Sequence, residues 1–314
     1  MRSWFYLFCC NLMWAMQFTC IKLVQDQVGP MFTVWGPMTL AMLMLIPFVI
    51  REETPGKTRP LEVARIYFVL AAFGVFPAQV MMTWGTRLSL ASNAALLNLT
   101  LPVATAMFAV IFLRERMTLV RWISFAVAIA GVLLCSGIDF HGLSFGGSYF
   151  YGNLLILAAT LGAAFYNSYG KKALAFHSPM RMLFWTYVAL CSMMAPIVLI
   201  EERDVFLRIP RFTLQTWIGM ALLVFFHNYL SMILFLKALK NLDAIQAALS
   251  NYLITFFGLP IAAIWLHEKL SATAIVGGVL VLCSTLAITV WEEILPARRP
   301  ASGSSADYQT AAGP

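Results

Sequence analysis

Charge is what this 314-residue sequence has least of: Asp, Glu, Lys and Arg make up 11% of it, against ~25% in an ordinary soluble domain. Hydrophobic residues reach 61% and the mean hydropathy is +0.81, so lipid rather than water is the expected main solvent. No Asp or Glu lies in the central part of any long apolar run, which removes the buried carboxylate that many proton-coupled membrane proteins use as a relay. The formal net charge is +7, yet the bases stand singly or in pairs between apolar stretches, never five in a row. They read as topology signals, and nucleic acid is excluded as a partner. All six cysteines (Cys9, Cys10, Cys20, Cys135, Cys191 and Cys283) fall inside apolar stretches without CxxC spacing. No metal, redox site or other cofactor is expected from them. The H-E-x-x-H motif of membrane metalloproteases is absent, as is a pair of membrane carboxylates. A serine-type site needs a base beside its nucleophile, and His227 is expected to stand without an acidic or nucleophilic neighbour at helical spacing. Neither repeated carbonyl-donating loops nor charged rings of the channel type are in view. An intramembrane enzyme and a channel are thereby left as remote alternatives.

What is present is a series of long apolar runs. A bilayer crossing needs ~20 apolar residues, and runs of that kind fall at 4–24, 31–50, 67–86, 92–113, 120–138, 151–172, 180–200, 215–237, 244–266 and 273–291. The expected fold is therefore all-α, a polytopic membrane protein of ten transmembrane helices. The first run has only Arg2 before it and ends in FTCIKLVQ without an A-x-A site, so it is read as an uncleaved span. Connections are short, the longest being 54–65, 139–150 and 201–212. Residues 292–314 turn polar and rich in small residues, the composition of a disordered tail. With the N-terminus inside, fifteen bases fall on the cytoplasmic side and six outside (Lys22, Arg87, Arg203, Arg208, Arg211 and Lys269). The positive-inside bias then places both termini in the cytoplasm and the chain in the cell membrane.

The two halves repeat. An offset of 149 brings Lys22 onto Lys171, Pro30 onto Pro179, Pro47 onto Pro196 and Glu52 onto Glu201. After a four-residue insertion the offset becomes 153, and Arg87 falls on Lys240, Asn93 on Gln246, Asn98 on Asn251 and Glu115 on Glu268. Leu and Ala coincidences decide nothing in apolar sequence; sparse polar positions agreeing in register do. Five spans per unit is an odd number, so the second copy enters from the opposite side. The expected organisation is a first unit over 1–138, an inverted second unit over 139–291, and the tail. Inverted repeats of this sort build many secondary transporters, with substrate held near the midplane between the halves.

The segment ALKNLDAIQAALSNYLITFFGLPIAAIWLHEKLS (238–271), its partner LSLASNAALLNLTLPVATAMFAVIFLRERMT (88–118) and the spans AVAIAGVLLCSG and AIVGGVLVLC resemble EamA-type transporters of the drug/metabolite transporter superfamily. The resemblance implies a ten-helix carrier whose central cavity, walled by spans 1, 3, 4, 6, 8 and 9, opens alternately to the two sides. It further implies that amino acids, other small metabolites or drug-like solutes are moved, often outward, by a monomer or weak homodimer in the lipid bilayer.

Polar side chains are costly inside a bilayer, so those at depth are the candidates for substrate contact. Asn98 and Asn251 each lie about seven residues, or ~10 Å, into opposed spans. His227 and Asn228 occupy the middle of span 8, where the imidazole could take a coupling proton and make the protein a proton-coupled antiporter, or stay neutral. Tyr166 and Asn167 in span 6, Gln17 and Trp14 in span 1, and Gln79 and Trp84 in span 3 complete the set. Glu115 and Glu268 resemble the family's acidic helix-end position and are expected to pair structurally. Lys22 and Lys171 close spans 1 and 6, as snorkelling or gating residues. Pro77, Pro102 and Pro260 inside spans free backbone carbonyls and permit kinks. The small-residue steps Gly258/Ala262, Ala126/Ala130 and Gly277/Gly278 are expected at close helix contacts.

Overall fold

Without water to satisfy them, backbone amides in lipid pair within their own segment, and every described element of this chain is helical. The computed structural model describes residues 2–52, 60–89, 94, 97–98, 100–114, 118–135, 150–174 and 177–266, with residues 276, 279–280, 283–284, 287 and 291 beyond them. The helices are α1 (Arg2–Val24), α2 (Pro30–Arg51), α3 (Glu62–Leu88), α4 (Thr100–Leu113), α5 (Leu119–Cys135), α6 (Phe150–Leu174), α7 (Pro179–Glu201) and α8 (Leu214–Asn241). The ninth, α9, comes in two pieces, Ala244–Ser250 and Tyr252–Leu266. Among the described residues, α1, α2, α3, α7 and α8 are long and apolar enough to cross a bilayer. The expected span at 273–291 lies for the larger part outside the described residues, and Glu115, Glu268 and the tail 292–314 lie outside them entirely.

Helix ends follow local chemistry. Pro30 and Pro179 occupy the first position of α2 and α7, where a missing N–H costs no intrahelical bond. Ser178 Oγ accepts from Arg181 N at 3.2 Å, and Asp243 with Gln246 forms a capping box at the start of α9. The loop 201–212, read from sequence as a plain connection, carries a helical turn at Val205–Arg208 and a 3-10 turn at Ile209–Arg211. Outward-facing Phe73, Ile50, Ile111, Trp122 and Ile200 are exposed, an apolar surface far larger than water tolerates and ordinary against lipid.

Packing pairs the two halves. α1 lies against α8 and α3 against α6; α4 lies against α6 and α1 against α9; α2 lies against α7 and α4 against α9. Each pairing recurs when five is added to its helix numbers in cyclic order. Polar contacts recur likewise. Lys22 Nζ donates to Ser89 O at 3.4 Å. Lys171 Nζ, 149 residues on, donates to Leu242 O, 153 residues after Ser89, and to Leu239 O at 2.7 Å. Each lysine thus meets the unpaired carbonyls at the C-terminus of a neighbouring helix. Arg87 answers Lys22 by donating to Val28 O at 2.7 Å and to Gln25 O, so the ends of α1 and α3 cap one another. The antiparallel pair α2 and α7 is clasped at both ends. Glu202 accepts from Met31 N and Phe32 N at 3.0 and 2.8 Å, while Glu52 accepts from Ser178 and pairs with Arg181 at 3.5 Å.

Two irregularities matter for the interior. The chain turns at Asn98 and again at Asn251, where three-residue closures, Leu101 N to Asn98 O and Ile254 N to Asn251 O, are both 3.0 Å. Wider π turns run over Leu70–Val75 and Pro77–Met81 in α3 and over Leu223–Leu230 in α8. Pro77 lacks the N–H that a regular α3 would use. In α8 the Asn228 amide donates to Leu223 O, five residues back, at 2.8 Å.

Candidate functional site

A cavity of about 90 Å³ opens between the halves. From the first half, Trp14, Gln17 and Phe18 of α1, Met38 of α2, Val75, Ala78, Gln79 and Met82 of α3, and Asn98 and Leu101 at α4 line it. The second half adds Ala163, Tyr166 and Asn167 of α6, His227 and Met232 of α8, and Ile254 of α9. Val75, Ala78, Gln79 and His227 all stand in π turns, which are rare outside functional regions because they spoil regular helix geometry. Among the described residues, the wall carries no Asp, Glu, Lys or Arg. Drug-sized ligands occupy ~300–1,000 Å³, so the volume suits a small solute.

Three unpaired hydrogen-bonding atoms are buried in this wall: Trp14 Nε1, the Tyr166 hydroxyl and His227 Nδ1. Beside them Gln79 Oε1 accepts from Gln17 Nε2 at 3.2 Å and faces His227 Nε2 at 3.4 Å. Asn167 Nδ2 reaches Thr105 Oγ1 at 3.5 Å, and Ser168 Oγ donates to Thr105 O at 3.1 Å. Trp14 is steadied by the ring of Phe235, 4.9 Å between centroids. Tyr166 packs so closely on α3 that a Cβ at Gly74 would sit 3.0 Å from its own, and glycine is what lets the two helices meet there.

The remaining candidates are placed elsewhere. Asn251 is 3% exposed, off the cavity wall, with both amide atoms unpartnered. Asn228 Nδ2 donates to Leu223 O of its own helix, its Oδ1 is buried without a partner, and its backbone carbonyl accepts from Tyr187 OH at 2.7 Å. Trp84 is 42% exposed on the outer surface. Lys22 and Lys171 cap helix ends, as described. Pro102 is the third residue of α4, where a missing N–H is harmless, so it starts a helix rather than kinking one. Pro260 falls inside the second piece of α9. Contrary to the expectation that His227 has no nucleophilic neighbour at helical spacing, Ser231 follows by four residues; its Oγ donates to the His227 carbonyl oxygen, not to the ring. The apolar half of the wall, from Phe18 and Met38 to Met232 and Ile254, escapes sequence reasoning because nothing local separates it from lipid-facing residues.

A helical membrane bundle around an uncharged, part-polar cavity is the plan of a solute transporter. The model of the EamA-like transporter family matches residues 1–137 and 150–290, and the chain belongs to that family, within the drug/metabolite transporter superfamily. It is 26% identical over 292 residues to a probable terminal-alkyne amino-acid exporter of Streptantibioticus cattleyicolor, covering 92% of this chain and 93% of that one. An uncharacterized transporter of Archaeoglobus fulgidus is 25% identical over 184 residues, 58% of this chain and only 62% of the relative. The uncharacterized transporter YyaM of Bacillus subtilis is 24% identical over 252 residues, 79% and 80% of the two chains. A solved crystal structure superposes with a TM-score of 0.74 over 92% of this chain and 98% of the other at 15% identity, a likeness of fold alone.

Proposed function

We propose that this transporter moves small, net-neutral solutes such as amino acids outward across the cell membrane by alternating access. The arrangement we infer is ten spans in two inverted five-helix units with both termini cytoplasmic, acting as a monomer or weak homodimer. The observation that carries the reading is the cavity: it lies between the halves, bears uncharged polar groups, and holds, among the described residues, no ionic one that would balance a net charge. The pairings and lysine caps that recur at offsets of 149 and 153 support the inverted repeat, and the name of the Streptantibioticus relative supports an amino acid moving outward. Purified protein in liposomes is expected to show saturable counterflow of neutral amino acids that an imposed pH gradient does not change. Absence of flux across the neutral amino acids overturns the reading. A second reading, proton-coupled antiport, is favoured by one feature, the imidazole of His227 on the wall. Flux that follows the pH gradient and loses that dependence in His227→Leu selects it.

A further inference from the structure

The ring of His227 is 5% exposed and its two nitrogens have different surroundings. Nε2 faces Gln79 Oε1 at 3.4 Å, and the same oxygen accepts from Gln17 Nε2 at 3.2 Å. With Gln79 Oε1 as the shared acceptor of this network, Nε2 carries the ring proton and Nδ1 keeps a bare lone pair. Nδ1, on a residue that lines the cavity, is buried without a partner. Trp14 Nε1–H and the Tyr166 hydroxyl, on two further lining residues, are buried and unmet as well. The lining residues therefore hold one unpaired acceptor and two unpaired donors, with no charged residue among those described.

We propose that His227 is a specificity-determining residue: its Nδ1 accepts a hydrogen bond from an ammonium or N–H group of the solute, while Trp14 and Tyr166 donate to the solute's carboxylate or other acceptor end. The inference rests on the transport reading above and names the chemistry its site selects, a zwitterion or a neutral molecule with one donor end and one acceptor end. Gln17 and Gln79 act through His227 as positioning residues, because they hold the tautomer that leaves Nδ1 bare.

Asn and Gln variants separate the two nitrogens. An Asn side chain places its oxygen where Nδ1 stood, whereas Gln reaches the position of Nε2 and leaves the cavity without that acceptor. Counterflow of L-leucine in liposomes is measured with two competitors, 4-methylpentanoate, which lacks the amine, and 3-methylbutylamine, which lacks the carboxylate. His227→Gln is expected to weaken half-saturation by L-leucine about tenfold, the effect of one hydrogen bond to a charged group. Competition by 3-methylbutylamine should weaken with it, and competition by 4-methylpentanoate should be unchanged, which also reports that the variant is folded. His227→Asn should stay near wild type. Wild-type affinity in His227→Gln, equal loss in both variants, or parallel loss of 4-methylpentanoate competition each overturns the inference while leaving transport intact. A wild-type protein that moves no neutral amino acid overturns the transport reading, and this inference with it; where the amino acid moved is another than L-leucine, its own deaminated and decarboxylated analogues serve as the competitors.

Discussion

Asn98 and Asn251 stand 153 residues apart, at matching offsets of the repeat, and each begins a short closed turn, yet their side chains have different surroundings. Asn98 faces the cavity, while the Asn251 amide is buried away from it with neither atom paired. A buried amide left unpaired costs ~1–3 kcal/mol, so a leucine, branched alike at Cγ but apolar, should be tolerated at one position and not at the other. Asn251→Leu is expected to raise the melting temperature of the purified protein and to leave its flux within a small factor of wild type. Asn98→Leu should lower flux about tenfold with expression unchanged. A destabilised Asn251→Leu protein would mean that its amide has work in another state of the transport cycle. The same contrast separates Gln79, which gathers Gln17 and His227, from Trp84, five residues on along α3 and turned to the outside.

Among whole elements, α3 and α6 cross closely. A Cβ at Gly162 would lie 2.6 Å from Pro77 Cγ and 3.0 Å from Ala78 N, and one at Gly85 would lie 2.7 Å from Gly152 O. Small residues let helix backbones approach in this way where no hydrophobic force drives them together. The step at Gly258, which sequence alone marks as a close contact, has more room: its added Cβ would stand 3.8 Å from Ala15 O. Gly162→Ala is therefore expected to destabilise the protein by ~1–3 kcal/mol through overpacking. Gly258→Ala should be neutral or stabilising by up to ~1 kcal/mol through helix propensity. Thermal unfolding in one detergent compares them, and a stable Gly162→Ala protein would show that Pro77 and its π turns yield readily. Since those turns carry Ala78 and Gln79 into the cavity, a yielding crossing would also be expected to alter flux.

At the scale of the whole molecule, the distribution of Lys and Arg makes a statement about sidedness that packing does not. On a cysteine-free background, Asp26→Cys, in the turn between α1 and α2, should react with a membrane-impermeant maleimide in intact cells, and Ser304→Cys only after permeabilisation. The reverse pattern would overturn the N-in assignment and, with it, the outward direction proposed for the solute.

Hydropathy was enough to read the helical membrane class, because crossing ~30 Å of hydrocarbon demands long apolar runs whatever the neighbours are. Sparse polar positions carry the two-offset repeat proposed for the chain, and polarity at depth put Trp14, Gln17, Gln79, Asn98, Tyr166, Asn167 and His227 on the candidate roll that the fold brings to one cavity. The tertiary structure alone decided which face each helix turns inward. In lipid, both the protein-facing and the bilayer-facing sides of a helix are apolar, so sequence cannot separate Met232 from an outward phenylalanine, nor Asn98 from Asn251. The π turns and the Gly162 crossing escaped for the same reason: they depend on how closely two particular backbones meet, and that is settled only when α3 packs on α6.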